Sequence, residues 1–465
     1  MRVLLVSHRY PPAHTAGTEV HTAQLAAGLA RRGHRVEVFT AEKDVSSPDL
    51  SLRGREHAGV AVTELVNNLH HDAFRETWDY PRIAALFGEH LDRARPDLVH
   101  VQHLMYLSIG CVEEAARRGI PVVFTLNDYW LHCARFGQRV HAEGSICHAI
   151  DFARCGECLT SFKFAQTPLE RATARAIAGV RSATGVDLGA AARGAAKHLA
   201  GWTATQPPVD PDRAAELARE VELREQAVRE RLVPRVALFL APSRFLRERF
   251  LERGFDPARI RHVPYGVELE RFRAHPRARS ERLRVAYIGA LAPHKAPHLA
   301  LEAWARIPAE LRARGELHLF GPARHHDDYR DALAKRAAEL GATLHGPLSR
   351  NEVPSELART DLLVVPSTWY ENAPLVILEA LAARTPLLVS DLGGMAELVE
   401  PGRSGWRFPP GDVGALAERL AALLHDPSPL EALYAEDVAP PPDVAEQVAC
   451  IESIYGEVLA EGAAR

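Results

Sequence analysis

At 465 residues the chain is too long for a single small module and fits two or three domains. Apolar residues make up 47% and charged residues 25%, with 31 Gly and 32 Pro, a globular composition that excludes a disordered or fibrous chain. Fifty-six basic against sixty acidic side chains leave a formal charge of -4, so the basic surplus of a nucleic-acid binder is missing and no nucleic-acid partner is expected.

No apolar run approaches the ~20 residues of a membrane-spanning helix, and Val3-Leu4-Leu5-Val6 is too short for a signal peptide's apolar core. A cytosolic protein is expected, in which six Cys do not make a disulfide scaffold and clustered Cys point to metal or catalysis. Only five basic residues are Lys (Lys43, Lys163, Lys197, Lys295, Lys335), which draws attention to any Lys in a suggestive place.

The first forty residues read as a β-α-β unit: a strand at Arg2–Val6, a helix at Gly17–Arg32 carried by Val20, Leu25 and Leu29, and a strand at Val36–Phe39. The loop from His8 to Gly17 lacks the Gly-x-Gly-x-x-Gly of a dinucleotide site, which disfavours a nicotinamide enzyme. Further strands are predicted at Asp97–Val101, Val122–Leu126, Ala237–Leu240 and Ile260–Val263, the last two running into Ala241-Pro242-Ser243 and Pro264-Tyr265-Gly266. Helical segments separate them, so the sheet is parallel and the fold class α/β.

Residues 160–235 read as a helical insertion. Its first part, around Arg171, Arg175, Arg181, Arg193 and Lys197, is basic; packing against the sheet domain is the expected role, with peripheral contact to an anionic membrane as the other. Its second part opens at Asp210-Pro211, a side-chain cap and a proline at the first helical position, and carries Leu217, Val221, Val228 and Leu232 on one stripe. Glu220–Arg224 and Glu225–Arg229 have the spacing of ion pairs. The carboxylates of Asp210-Pro211-Asp212 have the spacing of a metal-dependent transferase, but the cap accounts for them, and no catalytic metal is inferred.

After the polar stretch Arg271–Arg284 a second series of strands is predicted at Val285–Ile288, Leu317–Phe320, Thr343–His345, Leu362–Val365 and Pro386–Val389. Gly289, Gly321 and Gly346 follow three of them, where a parallel sheet binds ligands beyond its carboxyl edge. The tail Asp443–Leu459 reads as a helix crossing back to the first domain. The boundaries so drawn are 1–270 with a Cys-rich loop at 131–160, 284–440, and 441–465.

The strongest signal is Glu371-Asn372-Ala373-Pro374-Leu375-Val376-Ile377-Leu378-Glu379, directly after an apolar strand and Pro366-Ser367-Thr368 and ahead of Gly393-Gly394. Proline at a helix start needs no backbone donor, so Glu371 falls in the loop and Glu379 inside a helix beginning near Pro374. The free amides of that start form an anion site suited to a diphosphate, flanked by two carboxylates that accept from hydroxyls of a sugar and a ribose. Lys295, just after a strand end and before Pro297, is placed to meet a ligand phosphate.

Cys133, Cys147, Cys155 and Cys158 fall within 26 residues, the last two as Cys-x-x-Cys, with His132, His141 and His148 among them. Two loop cysteines and a Cys-x-x-Cys knuckle can close a tetrahedral zinc site; unpaired thiols or a redox pair are the other reading.

The chain resembles the retaining nucleotide-sugar glycosyltransferases of glycosyltransferase family 4 over nearly its whole length. The resemblance rests on His8-Arg9-Tyr10-Pro11-Pro12 with Gly17 and Glu19, Ala241-Pro242-Ser243-Arg244-Phe245, Val263-Pro264-Tyr265-Gly266-Val267, Gly289 to Lys295, and Glu371 to Glu379. It implies a GT-B architecture of two facing Rossmann-like domains, in which Glu371 contacts the transferred sugar, Glu379 the ribose and Lys295 the departing diphosphate. The donor side then comprises Gly289, Gly321, Gly346, Ser367, Asn372, Ala373, Pro374, Leu375 and Glu379. Gly17, Thr18 and His103 fall on the acceptor side and interdomain loop, beside Asp128, Asn127 and His100; for His100 and His103 taken singly, ordinary strand-end packing is the expected role.

The chain departs from the family pattern twice. Ala290 stands where an Arg usually follows the glycine, and Asn127, in Thr125-Leu126-Asn127-Asp128-Tyr129-Trp130, stands where His is common and cannot serve as a general base. In retaining enzymes of this group the donor phosphate is thought to take the acceptor proton. The expected function is metal-independent transfer of a sugar from a nucleoside diphosphate to a glycan, lipid-linked or small-molecule acceptor, with no cofactor needed for catalysis. The rivals are a GT-B epimerase or phosphorylase and a non-catalytic nucleotide-sugar-binding protein.

Overall fold

The computed structural model describes residues 1–184, 209–278, 280–323, 327–436 and 438–463. Arg193 and Lys197 of the basic stretch lie outside the described residues.

The amino-terminal part is built on an eight-stranded sheet in the order β3-β4-β2-β1-β5-β6-β7-β8. These strands are β1 (Arg2–Ser7), β2 (Arg35–Glu42), β3 (Leu52–His57), β4 (Val60–Val66), β5 (Leu98–Val101), β6 (Val122–Thr125), β7 (Leu238–Ala241) and β8 (Ile260–His262). All neighbours pair in parallel except β3 and β4, an antiparallel hairpin turning through Ala58 and Gly59, both at positive φ. The hairpin is an addition to the predicted strands. Its edge strand, Leu-Arg-Gly-Arg-Glu-His, is half exposed and carries no apolar run, so the sequence hides it.

The carboxyl-terminal part has a six-stranded parallel sheet in the order β11-β10-β9-β12-β13-β14. It is formed by β9 (Leu283–Ile288), β10 (Gly315–Phe320), β11 (Thr343–Leu344), β12 (Leu362–Val365), β13 (Leu387–Ser390) and β14 (Gly405–Phe408). In β12 and β13 every residue is buried, as expected of central parallel strands covered by helices on both faces. Each fully buried Leu or Val there contributes about 1.5–3 kcal/mol before the entropy of ordering is subtracted. β14, a further strand the sequence did not reveal, is a short edge element of mixed polarity.

The helix Val444–Ala463 returns to the first sheet. It packs on the helix Gly17–Arg31, where Val448 lies against Gly28 so closely that a Cβ at 28 would sit 2.5 Å from it. Glu452 meets His34 at 2.6 Å, and the Tyr455 hydroxyl meets His100 Nδ1 at 2.6 Å.

In the insertion, Asp210 caps the helix Pro211–Ala227 by accepting from Asp212 N (3.0 Å) and Arg213 N (3.3 Å). Leu217, Val221, Val228 and Leu232 are all buried. Glu225 pairs with Arg229 at 2.9 Å, whereas Glu220 and Arg224 do not pair. Arg224 is buried, stacks over Trp130 and donates to the Trp130 and Leu131 carbonyls, because inside the domain these acceptors are nearer than a solvent-facing carboxylate. Of the basic part, Pro168–Thr184 is helical.

Candidate active site

The donor motif bridges β12 and the helix Leu375–Ala382. Pro374 is the residue before the helix, with φ -61° but ψ 119°, so the helix begins at Leu375 rather than at the proline. The first amides of that helix have no intrahelical acceptor and point out of its positive end.

Glu371 is buried, and its Oε1 accepts from Lys295 Nζ at 2.5 Å and from Ser367 Oγ at 2.9 Å. Burial by itself would raise this carboxyl, but the Lys295 ammonium beside it holds it below the ordinary carboxylate range. Lys295 also lies over the Trp369 ring, 4.8 Å from its centroid. Three of the predicted donor-side groups, from segments up to 76 residues apart, thus form one ion-paired cluster.

Gly394 explains how the loop is held. Its N–H donates to the Glu371 carbonyl at 2.9 Å, and a Cβ at 394 would collide with the Asn372 carbonyl. Gly321 meets the same constraint, since its φ is +159° and a Cβ would strike the Gly289 carbonyl. At Gly289 a Cβ would lie 2.9 Å from the Tyr287 hydroxyl, which itself donates to the Ala290 carbonyl at 2.7 Å. Gly346 differs: a Cβ there meets nothing within 4 Å, so no close backbone approach requires glycine at that position.

Glu379 lies further along the helix, in a hollow lined also by Arg271, Arg350, Glu268 and, from the other domain, Val20 and Gln24. Burial pushes its carboxyl up to about 7 against the opposing pull of Arg350 and Arg271. Those two guanidiniums are engaged with Glu268, at 3.0 and 2.9 Å.

Across the cleft, Asp128 Oδ2 receives His103 Nε2 at 2.9 Å, and its Oδ1 receives the Trp130 amide at 2.7 Å. The Met105 amide donates to His103 Nδ1 at 2.9 Å, which leaves Nε2 to carry the proton given to Asp128. Asn127 is held on both sides: its Nδ2 donates to the Gln102 carbonyl at 2.7 Å and its Oδ1 accepts from the Tyr265 hydroxyl. His100 is fully buried between Tyr455 and Thr125, so it is a core residue and does not face the cleft. Gly17 opens the first helix next to Leu375, and Thr18 follows it, with its carbonyl taken by Thr22.

Several contacts that hold the two domains together were not legible in the sequence. Ser243 Oγ donates to Asn372 Oδ1 at 2.8 Å, while Asn372 Nδ2 donates at 3.1 Å to the carbonyls of Leu126 and Asn127. Asn372 therefore stitches the donor loop to the opposite domain. Glu397 accepts from the amides of Arg244 (2.9 Å) and Phe245 (2.8 Å), capping a helix of the facing domain. His148 of the Cys-rich loop meets the Tyr370 hydroxyl at 2.7 Å, directly beside Glu371. Ser243 stands in Ala-Pro-Ser, Asn372 in the donor motif and His148 among the clustered cysteines, but their partners in the facing domain, and any part for Glu397, carry no signal without the fold.

The four clustered cysteines are free thiols. Cys158 Sγ lies 3.3 Å from His141 Nδ1, Cys147 Sγ donates to the Ala149 carbonyl at 3.2 Å, and Cys133 Sγ is directed at the Arg135 carbonyl. No group of three or more His, Cys, Asp or Glu among the described residues is arranged to hold a metal ion. Burial pushes the Cys155 thiol up to about 12 and raises Cys147 and Cys158. No helix among the described residues is long and apolar enough to cross a membrane.

Residues 15–155 match the model of Glycosyltransferase Family 4, and residues 269–436 that of Glycosyl transferases group 1. The chain is 34% identical over 197 residues to a D-inositol 3-phosphate glycosyltransferase of Mycolicibacterium paratuberculosis, an alignment spanning 40% of this chain and 43% of the relative. It is 25% identical over 431 residues to a glycogen synthase of Mycobacterium tuberculosis, covering 92% of this chain and 87% of that one. Among solved structures, Anabaena HepE in complex with UDP and glucose superposes with a TM-score of 0.60 at 16% identity, covering 99% of this chain and all of HepE. The chain therefore carries the two domains of a family 4, group 1 glycosyltransferase on a GT-B fold.

Proposed function

We propose that the protein transfers a glycosyl group, with retention of configuration and without a catalytic metal, from a nucleoside diphosphate sugar to an acceptor lodged between its domains. The observation that carries this reading is the Lys295–Glu371–Ser367 cluster at the start of the helix Leu375–Ala382. An ammonium and a set of free amides converge there on the place where leaving-group charge develops, and one such contact is worth roughly 10²–10³ in rate. The pairing of HepE with UDP and glucose supports the donor class.

When the donor enters, its phosphate competes with Glu371 for Lys295. Glu371 is then freed to accept from sugar hydroxyls, while Glu379 accepts from the ribose and the backbone near Gly346–Glu352 lines the base. Retention follows from attack on the face that the diphosphate leaves, with a phosphate oxygen taking the acceptor proton, which is compatible with Asn127 in place of a base. Asp128 and His103 orient the acceptor, and closure through Asn372 excludes water. The reaction is assigned to the cytosol, with any membrane contact peripheral. A panel of labelled nucleotide sugars, incubated with cell extract and EDTA, tests the reading. It expects a glycosylated acceptor bearing the donor's anomeric configuration; an inverted product, or turnover abolished by EDTA and restored by a divalent cation, contradicts it.

Structural zinc at Cys133, Cys147, Cys155 and Cys158 is proposed separately. The spacing supports it, and binding would require the thiols to lose their protons. Metal analysis of purified protein returning one zinc per chain supports it, and none contradicts it.

A further inference from the structure

Outside the cleft, the described residues enclose an open cavity of about 1280 Å³ on the amino-terminal domain. It is bounded by the end of β2 and the turn after it, by β3 and Glu64 of β4, by Pro12 and Ala13 of the first loop, and by Arg175 and Gly179 of the helix Pro168–Thr184.

Its acids are already answered from within the walls. Glu42 takes His14 Nε2 at 2.9 Å, and Asp44 takes Arg53 at 2.7 Å with Ser46 and Ser47. Glu64 takes Arg53 at 2.7 Å and Arg55 at 2.5 Å. These pairs also engage Arg53 and the Nε of Arg55, whose buried Nη1 is left without a hydrogen-bond partner. Lys43 and Arg175, both lining the cavity from different elements, are left with no carboxylate in ion-pair range among the described residues, and so is Arg171, one turn from Arg175. Glu170, the acid near Lys43, is held by Lys163 and by the Thr167 amide and hydroxyl.

The three cations lie close enough to act on one imidazole. His70 is lowered first by burial, against the pull of Asp49, and then further by Arg171, Arg175 and Lys43. Burial lowers the Lys43 ammonium as well, with Lys163 and Arg9 adding to it against the pull of Glu170. Cations crowded in this way are relieved by an anion from outside. Room for one exists: a Cβ at Gly54 or at Gly179, both on the cavity wall, would meet nothing within 4 Å.

The cavity is also linked to the donor site by a short stretch of chain. Ala13 lines it, and four residues on, Gly17 packs beside Leu375 at the start of the donor helix, 3.9 Å from an added Cβ. Four residues span at most about 14 Å.

We propose that this cavity is an acceptor subsite for an anionic group, a phosphate or carboxylate of the acceptor, bound between Lys43 and Arg175 with Arg171 beside them. The word acceptor rests on the transferase reading; the anion site does not.

The test measures equilibrium binding of glucose 6-phosphate, glucuronate and neutral glucose, and of phosphatidylglycerol against phosphatidylcholine vesicles, to wild type and to Lys43→Glu, Arg175→Glu and Gly54→Phe. Uridine diphosphate is titrated in parallel into the same variants and into Lys295→Ala. At least one anionic probe should bind wild type at least tenfold more tightly than its neutral counterpart and lose tenfold or more in each cavity variant. Uridine diphosphate should bind those variants as it binds wild type. The sugar phosphate, the carboxylate or the vesicle arm then identifies the source of the anion. Anionic probes binding no better than neutral ones, or equally well to the charge-reversed variants, overturn the subsite, as does binding that only Lys295→Ala abolishes. Gly54→Phe, which reverses no charge and meets open space, guards against loss by misfolding. If anion binding behaves as described but no nucleotide sugar is turned over, the transferase reading fails while the anion site stands; the reverse pattern removes only the subsite.

Discussion

The two sides of the cleft are built differently. On the donor side one short stretch, Ser367 to Glu379, supplies the carboxylates and the helix start, with Lys295 and the glycines Gly289, Gly321 and Gly394 added from elsewhere. On the acceptor side, Asp128, His103, Asn127, Gln102 and Tyr265 come from two separate strand ends and a later loop, joined by hydrogen bonds across as many as 138 residues. The contrast teaches where the chemistry is fixed and where it is adjustable. A contiguous motif braced by a glycine cannot drift one residue at a time, whereas strand-end loops can change to suit another acceptor.

Breaking the donor side should have the largest effect. Lys295→Ala and Glu371→Ala should each lower kcat by at least about 10²–10³-fold in single-turnover assays with the natural donor. Lys295→Ala should also lower the thermal midpoint more than Glu371→Ala, because it leaves Glu371 buried without its cation. Equal, near-normal turnover in both variants would place the chemistry elsewhere.

Gly394→Ala asks whether the brace matters as much as the groups it braces. The added methyl collides with the Asn372 carbonyl, so the loop must move. A stability loss of about 1–3 kcal/mol is expected by denaturant titration, together with lost donor binding. Unchanged donor affinity would show that the loop position is not critical.

A smaller effect is expected from the acceptor side. Asp128→Ala removes the partner of His103 and of the Trp130 amide, and should lower kcat/KM for the acceptor by about tenfold while nucleotide affinity stays put. A loss confined to nucleotide binding would reverse the assignment of the two sides.

The smallest effect concerns Glu379, whose carboxyl is raised to about 7. A raised acid favours the folded state in its neutral form, so its contribution is present below the ordinary carboxyl range and is lost as pH rises through about 7. Unliganded wild type should therefore lose thermal stability between pH 5 and pH 8 relative to Glu379→Gln. Nucleotide affinity should rise over the same interval in wild type only, since ribose hydroxyls donate better to the ionised form. Parallel pH curves for the two proteins would contradict this.

The same contrast decides what the sequence could reveal. Central strands such as Leu362–Val365 are continuous apolar runs and declare themselves, as does a helix start marked by proline. The hairpin Leu52–His57 and Val60–Val66 and the short strand Gly405–Phe408 sit at sheet edges, where exposed faces dilute the pattern. Glu371 and Glu379 stand out because their spacing is local. The Ser243–Asn372 and Glu397–Phe245 contacts do not, because each joins residues more than a hundred positions apart. Arg224 was misjudged for a related reason: spacing favoured Glu220, but burial offered two backbone carbonyls instead.

The most direct test of the central claim is a crystal structure of the protein soaked with a nucleoside diphosphate. The phosphates should lie against the amides at the start of the helix Leu375–Ala382, with Lys295 Nζ moved off Glu371 onto a phosphate oxygen and the ribose within hydrogen-bond reach of Glu379. A nucleotide bound elsewhere, with the Lys295–Glu371 pair intact, would contradict it.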